Sequence, residues 1–155
     1  MDKIKNNQIG FEIEEYKKYI KQREINSWIK AILNELDLND KYCSLYFCSD
    51  EKMGELNNNF RGKDGTTDVL SFPEDSSTSL DKFFLGDIVI SIPQAMAQKN
   101  DFEGDFNREI KFLILHSILH LIGYDHENDN GEQEQKENYI FKKLLGGFDH
   151  YHIKR

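Results

Sequence analysis

The stretch His116-Ser117-Ile118-Leu119-His120-Leu121-Ile122-Gly123-Tyr124-Asp125-His126 constrains this chain more than any other. Its first two histidines are four residues apart, so on an α-helix they lie one turn above the other on one face. Gly123 supplies the residue that can leave the helix in the left-handed conformation and turn the chain back. His126 follows three residues later, close enough for its imidazole to approach the same point from outside the helix. Three neutral imidazoles leave a tetrahedral ion one open position, the arrangement of a catalytic rather than a structural zinc centre. Imidazole also suits nickel, copper and iron, so spacing alone names a transition metal before it names zinc.

The spacing H-x3-H-x2-G-x2-H is that of long zinc-protease motifs of the H-E-x-x-H-x-x-G-x-x-H kind, with one difference. The glutamate that serves those proteases as general base would stand at position 117, and here the residue is Ser117. The ligand spacing is kept and the protease base is missing. A single histidine in an apolar segment is usually a packed or surface residue with its ring nitrogens satisfied. Three at this spacing across a glycine point instead to a metal.

With 155 residues the chain is expected to form one domain, residues 1–155, with a substantial core. Its 28 acidic and 20 basic residues give a formal net charge of −8, which argues against a nonspecific nucleic-acid coat while leaving room for a local basic cleft. Cys43 and Cys48 lie in the apolar run Tyr42 to Cys48 without the spacing of a zinc knuckle, so they read as small buried side chains in a reducing compartment. The first residues lack the apolar core of a secretion signal and no segment has the length of a membrane span; the expected location is the cytoplasm.

Alternating Ile9, Phe11 and Ile13 predict a short strand over residues 8–13, followed by an amphipathic helix carrying Ile25, Trp28, Ile29, Ile32, Leu33 and Leu36. Tyr42 to Cys48 reads as a buried strand, with Ser49-Asp50 capping a helix whose inner face is Met53, Leu56 and Phe60. A loop from Arg61 to Thr67 leads to a strand from Asp68 to Phe72 stopped by Pro73, and Glu74 to Lys82 reads as a solvated excursion. Gly86 to Ile92 is the clearest strand, and Pro93 opens the next helix. The helix bearing His116 and His120 starts near Asp105 and is apolar almost all round, so it must be buried on most sides. Two histidines there would carry a desolvation cost of about 1 to 3 kcal/mol each if unpaired, which a bound metal would offset. The acidic run from Asp125 to Glu137 is accounted for mostly by solvation and by carboxylates in the first turn of a last helix, whose inner face is Tyr139, Ile140, Leu144 and Leu145 and which Gly146-Gly147 ends. His150 and His152 in the tail are not expected to join the metal. The fold class is therefore α/β (α+β): a single domain with one mixed sheet of about four strands surrounded by helices, the histidine helix buried at its centre.

These residues resemble the YbeY family, bacterial metal-dependent endoribonucleases associated with ribosomal RNA maturation. His116 to His126 is similar to that family's H-G-x-L-H-L-x-G-Y-D-H signature. Leu56 to Pro73 resembles its L-N-x-x-Y-R-x-x-D-x-x-T-D-V-L-S-F-P block, and Gly86 to Ser91 its G-D-I-x-I-S strand. Two positions depart from the pattern. Ser117 replaces the usual glycine, where its small hydroxyl could sit near the metal without abolishing binding, and Phe60 replaces the usual tyrosine. The resemblance implies one Zn2+ held by His116, His120 and His126, and Arg61 as a functional residue facing it. A metal with a guanidinium fork is a good stabiliser of charge building on a phosphodiester, and lysine would be a poorer one.

The expected function is a zinc-dependent, single-strand-specific endoribonuclease acting in rRNA processing (16S rRNA 3′-end maturation) and ribosome quality control, with single-stranded RNA and ribosome-associated proteins as partners. Lys63, Ser71, Asp87, Ser117 and Asp125 are candidate cleft or supporting residues, and Lys99 a further cation. The general base is open among a hydroxide on the metal, the substrate's 2′-hydroxyl, and Asp125 or Asp87 acting through water. The competing readings are a metal-dependent hydrolase of peptide or amide bonds and a noncatalytic ribosome assembly factor with a structural metal.

Overall fold

A computed structural model of the chain describes residues 7–75, 77–78 and 80–145. Gly146-Gly147, His150 and His152 lie outside the described residues. Strands β1 (Gln8–Phe11), β2 (Tyr42–Cys48), β3 (Val69–Pro73) and β4 (Phe84–Ser91) form one sheet in the order β1-β2-β4-β3. The first three of these neighbours run parallel and β3 pairs antiparallel with β4, so the sheet is mixed, as expected. Helices α1 (Gln22–Glu35), α2 (Asp50–Arg61), α3 (Ile92–Gln98), α4 (Phe106–Leu121) and α5 (Glu132–Leu145) surround it. Short 3-10 segments at Glu14–Tyr19 and Lys99–Phe102 were not legible, since a turn and a half of polar helix leaves no period to read.

Helices α2, α3 and α4 start where a short oxygen-bearing side chain can take an orphan N–H, whereas α1 follows Lys21 without a side-chain cap. Ser49 Oγ accepts from Lys52 N at 3.2 Å before α2, Ser91 Oγ from Gln94 N at 3.3 Å before α3, and the Asp105 carboxylate from Arg108 N at 3.1 Å before α4. Pro93 sits in the first turn of α3, where its missing N–H costs nothing.

Two cores flank the sheet. On one face Leu45, Phe47, Ile88 and Ile90 pack with Ile25, Ile29 and Ile32 of α1, with Leu113, Ile114, Leu115 and Ile118 of α4, and with Ile140 and Phe141 of α5. On the other, Cys48, Leu70 and Val89 meet Met53 of α2. Helix α4 is buried along most of its length. The indole of Trp28 donates to Lys111 O at 2.9 Å and Lys111 Nζ meets Glu24 at 2.8 Å, tying α1 to α4. Burial pushes the Cys43 and Cys48 thiols up to about 12, consistent with inert core side chains.

Two inner faces differ from the expectation. Phe60 is 66% exposed, and the buried position three residues earlier is Asn57, whose amide donates to Gly65 O at 3.0 Å and braces the following loop. Tyr139 is exposed while Phe141 is buried, because α5 also turns Gln133, Glu137 and Asn138 inward.

The C-terminal end of α4 approaches β4 most closely at Gly86. A Cβ there would lie 2.3 Å from Phe72 O and 2.9 Å from Leu121 Cδ2, and its φ of +144° is itself costly for any other residue. Gly86→Ala is expected to destabilise the fold by about 3 kcal/mol, read as a lower urea midpoint at unchanged m-value.

Candidate metal centre

The histidine site is built at the end of α4. Gly123 takes φ +110°, its N–H bonds His120 O at 3.1 Å, and Tyr124 N bonds Leu119 O at 3.0 Å. These two bonds make a Schellman motif, which reverses the chain so that His126 returns toward the helix face it has just left. The predicted role of Gly123 is thus observed in its backbone. The chain then passes to α5, where the Asp129 carboxylate accepts from Gly131 N at 2.9 Å and Gln133 N at 3.0 Å.

Helix α5 supplies what the sequence did not reveal. Glu137, 5% exposed, lies with its carboxylate 2.5 Å from His116 Nδ1. A carboxylate accepts there, so Nδ1 carries the proton and Nε2 is left as a lone pair. His120 is set the same way, its Nδ1 donating to Tyr124 O at 3.2 Å. Fully buried Gln133 joins the pieces: its Oε1 accepts from His126 N at 3.1 Å, and its Nε2 donates to His116 O at 3.2 Å and to Glu137 at 3.1 Å. The i, i+4 spacing of Gln133 and Glu137 was the available signal, but it lay in an acidic run that solvation explained well enough. The polar cost of placing His116 and His120 on a buried helix is met at Nδ1 by protein groups, where only a metal had been expected to meet it.

All three imidazoles line one cleft of about 370 Å³, open to solvent across the free edge of β3. Phe60, Arg61, Val69, Leu70, Ser71, Phe72, Asp125 and Glu127 complete its walls. Arg61 is the last residue of α2, set in place by Gly62 at φ +65°, and it makes no hydrogen bond or ion pair among the described residues.

The rings of His116 and His126 have centroids 4.9 Å apart, against about 5 Å for two imidazoles on one tetrahedral ion. As the side chains stand, no three His, Cys, Asp or Glu among the described residues are gathered closely enough to hold a metal ion. The tautomers at His116 and His120, with their Nε2 lone pairs and supporting oxygens, fit the donor chemistry an imidazole-bound ion requires. Bringing one nitrogen of each of the three rings onto a common point is what binding would have to accomplish.

Of the other candidate residues, Ser71 and Asp125 line the cleft and four do not. Asp87 is exposed on β4 opposite Phe72 and outside the cleft lining; Lys63 and Lys99 are likewise outside it. Ser117 is fully buried, away from the cleft, because a helix that turns His116 toward solvent carries the next side chain about 100° round into the core. Asp125 is held below the usual carboxylate range, first by the hydrogen bond from Asn128 Nδ2 at 2.6 Å, and it also accepts from Glu127 N at 3.1 Å.

Two variants check this arrangement. Ser117 Oγ has no hydrogen-bond partner among the described residues, so Ser117→Ala should raise unfolding stability by about 1 kcal/mol in denaturant titration. Glu137→Ala should lower it by about 2 kcal/mol and release His116 from a single tautomer, read by two-bond proton–nitrogen NMR of the imidazole. Glu137→Gln, whose oxygen can still accept, should retain that tautomer.

Comparison with known proteins agrees with this architecture. The family model for Endoribonuclease YbeY matches residues 6–145. Endoribonuclease YbeY of Sulfurihydrogenibium sp. is 38% identical over 148 residues, covering 92% of this chain and 96% of that one. The protein of the same name from Aquifex aeolicus is 41% identical over 132 residues, covering 83% and 87%. A solution structure of a Thermotoga maritima protein matches with a TM-score of 0.62 at 26% identity, over 90% of this chain and 89% of that one. A family model that runs the length of the described residues, together with relatives this similar over nearly their whole length, shows that the chain belongs to the YbeY family.

Proposed function

We propose that this chain is an endoribonuclease that cuts single-stranded RNA in ribosomal RNA processing, at the 3′ end of 16S rRNA and in ribosome quality control. The observation that carries the reading is that three histidines line one solvent-open cleft together with Arg61, which has no hydrogen bond or ion pair among the described residues. The family supplies the bond: its members are named endoribonucleases.

His116 and His120 through Nε2, together with the His126 imidazole, would hold a zinc ion, and zinc when bound supplies a Lewis acid for a phosphoryl oxygen. Glu137 and the Tyr124 carbonyl keep the Nδ1 protons of His116 and His120 in place, so that these rings present lone pairs to the cleft. Arg61 neutralises charge on the non-bridging oxygens as the phosphodiester is cut, with no carboxylate partner to displace among the described residues. Proton removal from the nucleophile is assigned to neither candidate carboxylate. Asp87 is outside the cleft, and Asp125 is committed to its own loop.

The peptide-hydrolase reading is not favoured, since the position of the protease base is occupied by Ser117, buried away from the cleft. The chain's net charge of −8 leaves RNA attraction to local cations such as Arg61, and we assign selection of the natural substrate to ribosome-associated partners in the cytoplasm. Among the described residues no helix is long and apolar enough to cross a membrane.

Arg61→Ala is expected to lower kcat/KM on a single-stranded oligoribonucleotide by about 100- to 1000-fold at unchanged melting temperature, with Arg61→Lys intermediate. His116→Ala should reduce the zinc content of purified protein and abolish cleavage. If both variants still cut RNA and still support normal rRNA ends in cells, the chain is not this nuclease.

A further inference from the structure

The helical repeat of α2 predicted Phe60 on its inner face beside Met53 and Leu56, yet the ring is 66% exposed. It is not loose on the surface. Phe72 of β3 meets it edge-to-face, with centroids 5.3 Å apart and planes at 72°. Phe72 itself packs against the apolar cluster of Cys48, Met53, Leu70 and Val89, so it is a fixed stop. Phe60 and Phe72 both line the cleft that holds the three histidines, and the next residue after Phe60 is Arg61.

We propose that Phe60, braced by Phe72, is a stacking platform for one unpaired base of a single-stranded RNA whose phosphate lies at Arg61. This rests on the nuclease reading above and adds to it the part of the substrate that the cleft grips beyond the phosphate. A base within a duplex is already stacked on both sides, whereas an unpaired one can be splayed onto an aromatic face. The platform therefore accounts for single-strand selectivity by a contact, and it accepts any base, since every base offers a π-face. Cations alone would not separate the two substrates: both strands of a duplex carry phosphates. The order of the two side chains suits the polymer, with a guanidinium for the backbone and a ring for the adjoining base.

The test uses the full chain, a short single-stranded oligoribonucleotide, and the same strand made abasic at one position at a time. Trp28 is the chain's single tryptophan and is buried, so Phe60→Trp adds an exposed reporter at the platform. Its fluorescence should be quenched on addition of the strand, and less so when the base at one particular position is missing. Phe60→Leu keeps an apolar side chain and removes the π-face; it should weaken binding and raise KM about tenfold at unchanged melting temperature, with Phe60→Tyr close to wild type. In wild type one abasic position should weaken binding by a similar factor, and in Phe60→Leu that same position should have no further effect. Equal binding by Phe60→Leu and wild type would mark the ring as an apolar contact only and overturn the platform while leaving cleavage intact. Failure of the wild-type protein to bind or cut the strand would overturn the platform and the nuclease reading together.

Discussion

A helix buried on nearly every side can carry polar side chains only where another element answers them. In α4 the answer comes from α5, through Glu137 and Gln133. One carboxylate and one amide orient His116, hold the returning backbone at His126, and satisfy each other. The carboxylate's own burial is tolerable because an imidazole N–H and an amide N–H both point at it. Without this pair, the Nδ1 of the half-buried His116 imidazole would be unanswered and the loop after Gly123 would lose its tether.

The same constraint explains why the cleft opens where it does. Toward its middle α4 presents Leu113, Ile114 and Leu115 to the sheet and its neighbours, and polar function there would be costly. Only at its C-terminal end, beside the free edge of β3, can histidines face both protein partners and solvent. The edge strand is thereby part of the site's wall, and the close approach of Leu121 to the β4 backbone at Gly86 sets how near the helix end can come. Arg61 reaches the same place from the opposite layer, at the end of α2. The site is therefore assembled from both sides of the sheet, across its edge.

The zinc-protease spacing with serine at the base position acquires a physical meaning here. Ser117 is a core residue, one helical step round from the face that carries the histidines, and its hydroxyl has no hydrogen-bond partner among the described residues. Chemistry in the cleft has to proceed without any group from that position. Around the histidines stand a guanidinium, an exposed aromatic side chain, the Ser71 hydroxyl and the carboxylates of Asp125 and Glu127, and the first two suit a polyanion with planar bases better than a peptide.

The periodic features were legible from the residues because they depend on local geometry. The spacing His116, His120, Gly123 and His126 determines a helix, a left-handed exit and a return, and unbroken apolar character determines that this helix is buried. Ser49 and Asp105 announce helix starts because their short oxygens can reach an N–H within the same turn, and Pro93 announces one because its missing N–H costs nothing there. The inward turn of Glu137 and Gln133, the outward turn of Phe60 and the burial of Ser117 were settled by tertiary structure. Each depends on which element packs against the helix face in question, and nothing within one helical turn carries that information. Asp87 and Ser71 make the same point within the sheet: both are polar and both lie mid-strand, but only β3 forms the edge that borders the cleft. Local sequence names the side chains available for chemistry, and the packing of α4 against α5 and β3 decides which of them meet.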